Sequence, residues 1–179
     1  GVGLGRVGPP VAGRGRPGWG AVAAVSAVRA GALLVHAVRV RAAHGDACCG
    51  ALLVEARSLL GRPGAFAADD VAVFAEYLKD DEGRAPDLSR QACAVPLATA
   101  HACVEALGIA ERALPMVESS LRCDVEAAVP LLSACVDAVL LNVEADMQGL
   151  DAQARTGVLS ARDRLRQQST QLRDRLRAR

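Results

Sequence analysis

The chain has 179 residues, of which 51% are hydrophobic and 23% charged, with a formal charge of +1; that fits one domain with a sizeable core and excludes general disorder. Aromatic residues make up 2%, namely Trp19, Phe66, Phe74 and Tyr77, which argues against an alternating β-sandwich or barrel and against a stacking platform for single-stranded nucleic acid. Residues 1–18 carry three Arg and residues 151–179 carry eight Arg against three Asp, so the stretch between them is acidic, and basic ends on an acidic body are no nucleic-acid footprint.

In chain order, residues 1–18 hold seven Gly and three Pro and read as a flexible tail with little to bury. From Trp19 to about Arg41 small and branched apolar residues cover nearly every side, the pattern of a buried helix. Gly45 and Asp46 break the chain, and Ala47–Leu60 forms a second apolar helix that stops at Gly61-Arg62-Pro63-Gly64. A third helix is expected from about Ala67, with Asp70, Phe74 and Tyr77 on one stripe, ended by Lys79–Gly83 and Pro86. Asp87 or Ser89 would cap a fourth running to about Leu114 through Pro96, and a fifth spans roughly Ser119–Met147 with Pro130 inside. Residues 151–179 form an Arg-rich amphipathic helix whose narrow stripe of Val158, Leu165, Leu172 and Leu176 suits packing on the bundle or on a partner. Five or six long helices and no strand predict an all-α bundle, with residues 19–179 as a single domain.

The six cysteines show no C-x-x-C pair and no Cys/His zinc spacing, so they read as reduced, mostly buried thiols with no metal, in a cytoplasmic protein without a secretory pattern. Gly20–Val40 has the length of a membrane span, but Arg29, His36 and Arg39 interrupt it; a mid-bilayer Arg costs at least ~2.5 kcal/mol, so no membrane partner is expected.

Several segments together resemble a known family. Pro17-Gly18-Trp19-Gly20-Ala21-Val22-Ala23-Ala24 resembles the Pro-Gly-Gly-Gly-Ser-Val-Ala-Ala opening of the formiminotransferase-cyclodeaminase C-terminal domain family, which includes stand-alone methenyltetrahydrofolate cyclohydrolases. Asp70–Phe74 is similar to its Asp-Ala-x-Ala-Phe segment, and Val95–Ala100 with Cys103–Leu107 to its Val-Pro-Leu helix. Cys123–Ala128 resembles its Ser-Asp-x-x-x-Ala step, and Leu141–Asp146 its Asn-Val-x-x-Asn segment. The resemblance implies an all-α homodimer that binds a tetrahydrofolate derivative near the subunit interface, with no tightly bound cofactor. It also implies chemistry at the N5/N10 bridge, either ring closure of a 5-formimino group with loss of ammonia or hydrolysis of a methenyl bridge. The departures are local: Trp19 and Ala21 stand in the Gly-Gly-Gly-Ser turn, Cys123 replaces Ser, Asp146 replaces Asn, and Pro115–Glu118 replaces a Gly-Asn loop. A Lys-rich segment after the first helix is also absent, with Arg39, Arg41 and His44 nearest to its place.

Both reactions pass through a cationic centre, which a carboxylate in an apolar cleft stabilises while moving a proton. Asp124 and Asp70 are the catalytic candidates; each equally fits an acidic residue in the first turn of a helix, stabilised by its dipole. Asn142 and Asp146, one turn apart, are candidates to position the ligand, together with Gly18, Trp19, Gly20 and Cys123 at the altered motifs and Tyr77 as a stacking ring. Asp124 and Asn142 lie 18 residues apart, on one helix face but roughly 27 Å from each other. They therefore bind opposite ends of a long ligand or are brought together across a two-fold axis. His101 and Glu105 form an i, i+4 pair, His36 is expected buried and structural, and nothing guarantees an activating base for Cys123. Two alternatives stand beside a folate enzyme: a diverged member closing a ring or losing water or ammonia on another small molecule, and a non-catalytic helical dimer serving as a ligand-binding or scaffold subunit.

Overall fold

The computed structural model describes residues 19–60, 62 and 86–179. They form five helices: α1 (Trp19–Ala43), α2 (47–60), α3 (Pro86–Ala113), α4 (Arg122–Asp146) and α5 (Ala152–Arg177), with 3-10 turns at Ser119–Leu121 and Met147–Gly149. No strand occurs among the described residues, as expected of an all-α bundle. The tail 1–18 and the helix expected from Ala67 lie outside the described residues, and Gly18, Asp70, Phe74 and Tyr77 lie there with them.

The boundaries follow local chemistry. Gly45 turns the chain after α1 at φ +89°, a left-handed conformation that suits glycine, and Asp46 Oδ1 then accepts the Cys49 N–H at 3.1 Å, capping α2. Asp151 does the same for α5, accepting from Ala154 N at 2.7 Å. Pro86, expected to close the preceding helix, instead opens α3. Its missing N–H falls where helix donors have no partner, and its fixed φ is already helical. The fifth expected helix is shorter than its pattern because both ends tighten into 3-10 turns. Pro96 and Pro130 lie inside continuous helices.

Helix α4 is the hub, packed against α3 beneath it, α1 on one flank and α5 on the other. At one end of the α1–α4 pair His44 Nδ1 meets Glu118 Oε1 at 2.9 Å, and towards the other Cys135 Sγ donates to the Ala23 carbonyl at 3.2 Å. The two helices are therefore antiparallel. On the other flank Arg162 and Arg166 both reach Glu144 Oε1, at 3.2 and 3.1 Å. Leu165, Leu172 and Leu176 of α5 are buried, so the narrow stripe of this helix is used within the chain.

Leu107, Ile109, Leu132, Leu140 and Leu34 are the largest fully buried side chains, each contributing about 1.5–3 kcal/mol on burial. Cys49, Cys93, Cys103 and Cys135 are buried free thiols, while Cys48 and Cys123 are exposed. Burial pushes the Cys93 thiol up to about 11. A hydrogen bond with Cys135, and then burial, raise Cys103, so these thiols act as small protonated hydrophobes. Val22–Ala43 and Ala92–Ala113 are long and apolar enough to cross a membrane; the second lies in α3, packed between α4 and α5. The first is buried on one side, and Arg29, His36 and Arg39 stand exposed on the other. His36 thus corrects the expectation of a buried imidazole, because α1 is rich in small apolar residues on every side and sequence alone does not say which side faces out.

Candidate functional site

Helix α4 carries the site candidates on its shoulders. Val125, Ala128, Leu132, Val136, Val139 and Val143 point inward and are buried, whereas Leu131 and Leu141 are 44% and 61% exposed on the outer side. Asp124 lies in the first turn of α4 and is half-buried, and Asn142 and Asp146 are half-buried near its far end. Because α4 runs unbroken from Arg122 to Asp146, Asp124 and Asn142 share one side but stand roughly 27 Å apart. The fold therefore does not bring them together within one chain.

What it brings together is local. Cys123 Sγ lies 3.7 Å from the Ser120 carbonyl and 4.0 Å from Asp124 Oδ1. Both contacts are acceptors, so neither activates a thiolate as a cation or base would. Asn142 makes no hydrogen bond with any described residue. The backbone of Trp19 and Gly20 forms the first turn of α1, and the antiparallel register puts this turn near the level of Asn142. The same register sets His36 at the level of Asp124, with Arg39 Nη2 3.5 Å from His36 Nδ1. His101 Nδ1 lies 3.8 Å from Glu105 Oε1, and Glu105 also takes Arg62 at 2.8 Å, which makes the pair part of a surface ion cluster.

Three open grooves of about 650, 480 and 290 Å³ are lined by none of Asp124, Asn142, Asp146 and Cys123, though His101 borders the second. The first contains Cys48, Glu55, Glu111, Arg112 and Arg179. Arg112 Nη1 donates to Glu55 at 2.9 Å and Arg175 Nε to Glu111 at 2.8 Å, and these hydrogen bonds hold both carboxyls below their ordinary values. Sequence reasoning missed this groove, since residues 55 and 111 belong to no shared motif and meet only when α2 packs on the end of α3. No cluster of three metal-ligating side chains exists among the described residues.

A bundle of five long helices, with half-buried carboxylates and an amide along one of them and open grooves between them, defines the class as an all-α helical-bundle protein. The family model for formiminotransferase-cyclodeaminase matches residues 12–164, and the chain belongs to that family. Among solved structures, formiminotetrahydrofolate cyclodeaminase from Thermotoga maritima is similar with a TM-score of 0.84 at 16% identity, covering 90% of this chain and 86% of that one. No curated protein sequence matches.

Proposed function

We propose that this chain is a folate one-carbon enzyme, a lyase or hydrolase of the formiminotetrahydrofolate cyclodeaminase or methenyltetrahydrofolate cyclohydrolase type. It works as a cytoplasmic homodimer on a tetrahydrofolate derivative, without a tightly bound cofactor. The observation that carries this is the family match over residues 12–164 together with Asp124, a half-buried carboxylate on the shoulder of α4.

In ring closure N10 attacks the amidinium carbon of the formimino group, the C–N bond to the leaving nitrogen breaks, and ammonia departs with a proton. In hydrolysis water adds to the methenyl carbon, and a ring C–N bond then opens. Asp124 as a carboxylate stabilises the cation in either case and carries the proton. Asn142 supplies a neutral donor and acceptor to a more distant part of the ligand, with Asp146 beside it. Gly18, Trp19, Gly20, Cys123 and Tyr77 complete the binding surface, and Asp70 is the second acid/base candidate.

The test is ultraviolet monitoring of methenyltetrahydrofolate and formiminotetrahydrofolate with and without the protein. Acceleration that Asp124→Asn lowers by about 10²–10⁴-fold, with the melting temperature held, supports the assignment. No acceleration and no folate binding by titration would sink it. A second reading, ring closure or loss of water or ammonia on another small molecule, is favoured by the location of the departures. Cys123 is exposed and Asp146 half-buried, so these changes alter the accessible surface and leave the core alone. Turnover of a non-folate substrate, lost in Asp124→Asn, would select this second reading, and a dimer that binds without turnover would select the scaffold role.

A further inference from the structure

The first turns of α4 have two sides with different neighbours. Asp124 and Cys135 lie 11 residues apart, about three turns, and Cys135 donates to the Ala23 carbonyl of α1, so Asp124 belongs to the α1 side. Glu126 and Glu144 lie 18 residues apart, about five turns, and Glu144 takes Arg162 and Arg166 of α5, so Glu126 belongs to the α5 side. On that second side the groove of about 290 Å³ opens between the start of α4 and the end of α5. Its floor is aliphatic, formed by the buried Leu114, Val125, Val129 and Leu176. Glu126, Arg177 and Arg179 stand exposed on its rim.

Charge says what the groove takes. Glu111 holds Arg175 at 2.8 Å and Arg179 at 3.6 Å, and Glu126 holds Arg122 at 3.7 Å. Arg177 makes no hydrogen bond or ion pair with any described residue. Four guanidinium groups thus stand around the groove against two carboxylates, and the uncompensated one is at its mouth. A guanidinium fork matches the two oxygens of a carboxylate, and an aliphatic floor receives an apolar body. About 290 Å³ accommodates on the order of ten to fifteen non-hydrogen atoms. No thiol, hydroxyl or imidazole lines the groove among the described residues, so it is equipped to bind a ligand and not to transform one.

We propose that this groove is a second ligand site, separate from the site of Asp124, and that it takes a small monocarboxylate with an apolar body. One unpaired guanidinium calls for one negative charge. A neutral molecule of the same shape gains only the contact with the floor, and a cation is repelled by Arg177 and Arg179. Glu126 opposes the bound carboxylate from the same rim, so removing its charge tightens binding while removing that of Arg177 weakens it. An aliphatic chain and an aryl ring both suit the floor; the carboxylate head is the chemistry they share. The site does not depend on the role proposed for Asp124.

The test is an NMR titration of the full chain with octanoate and 4-butylbenzoate as probes, and with octanamide and octylamine as their neutral and cationic counterparts. At least one carboxylate should bind with a dissociation constant of about 1 mM or tighter, and at least tenfold more tightly than the amide or the amine. Whichever carboxylate binds better tells an aliphatic from an aryl occupant. Intermolecular NOEs from its apolar part should reach the methyl groups of Leu114, Val125, Val129 and Leu176. Arg177→Gln should weaken the carboxylate about tenfold and leave the amide unchanged, whereas Glu126→Gln should strengthen the carboxylate about two- to threefold. Both side chains are exposed, so the melting temperature should hold in each variant. Absence of binding at millimolar concentration, equal binding of carboxylate, amide and amine, NOEs to other methyl groups, or indifference to Arg177→Gln overturns the assignment. So does displacement of the bound carboxylate by tetrahydrofolate, which would make the groove part of the folate site. None of the other readouts uses folate, so absence of folate turnover leaves the second site standing.

Discussion

Leu140 and Leu141 are neighbours in the chain and opposites in the fold: the first is fully buried against the bundle, and the second is 61% exposed. The contrast extends along all of α4 and teaches what the family resemblance consists of. Among the residues that carry it, Cys103, Leu107, Val125, Ala128 and Val143 are all at most 1% exposed, so they specify packing. The departures at Cys123 and Asp146 stand on the accessible sides. A close-packed interior tolerates few volumes and shapes, which is why the inner side of α4 fixes the fold while the outer side remains free to change ligand or partner.

The largest effects should come from treating the two leucines alike. Leu140→Ala should cost about 2–5 kcal/mol in denaturant unfolding, through lost transfer energy and the cavity left behind. Leu141→Ala should change stability by less than about 0.5 kcal/mol in the same measurement. Equal losses for both would erase the distinction between the two sides.

A smaller effect of opposite sign is expected on the inner side. Ser133 is buried and its hydroxyl has no hydrogen-bond partner among the described residues, an arrangement that costs stability. Ser133→Ala should therefore raise stability by about 1 kcal/mol, read as a higher melting temperature; a loss of similar size would mean that the hydroxyl is satisfied.

Much of this division was legible in the sequence, and the illegible part has a physical cause. Turn and cap residues marked α1, α2 and α5 closely, as Gly45, Asp46 and Asp151 show. The shared side of Asp124 and Asn142 followed from an 18-residue spacing. Pro86 was ambiguous because proline both ends and begins helices. His36 was misplaced because Ala, Val and Leu on every side of α1 leave no polar stripe to orient it. The Glu55–Arg112 pair depends on packing between α2 and α3, a long-range contact that no local pattern encodes.

Those surface pairs give a modest pH dependence. Hydrogen bonds from Arg112 and Arg175 lower the carboxyls of Glu55 and Glu111 in the folded chain. Their contribution is therefore fully present above the unfolded glutamate value of about 4.3 and is lost as pH falls through the lower folded values. Both pairs are partly exposed, and a solvated pair contributes little. The melting temperature should stay level from pH 7 to 5 and then fall, and Glu55→Gln with Glu111→Gln should make that fall shallower. An unchanged acid profile in the double variant would remove these pairs as its source.

The smallest effect is expected where α1 meets α2. A Cβ at Gly31 would lie 2.9 Å from Leu60 Cδ2, closer than carbon atoms pack, yet that methyl is the tip of a flexible side chain. Gly31 and Leu60 also border a cavity of about 20 Å³, into which the methyl can retreat. Gly31→Ala should gain up to about 1 kcal/mol of helix propensity and lose a similar amount to repacking, leaving stability nearly unchanged. Gly31→Val adds bulk that this cavity cannot absorb and should destabilise by about 1–3 kcal/mol. If Gly31→Ala alone already costs that much, the inner side of α1 is as rigid as that of α4, and tolerance belongs only to the outer face.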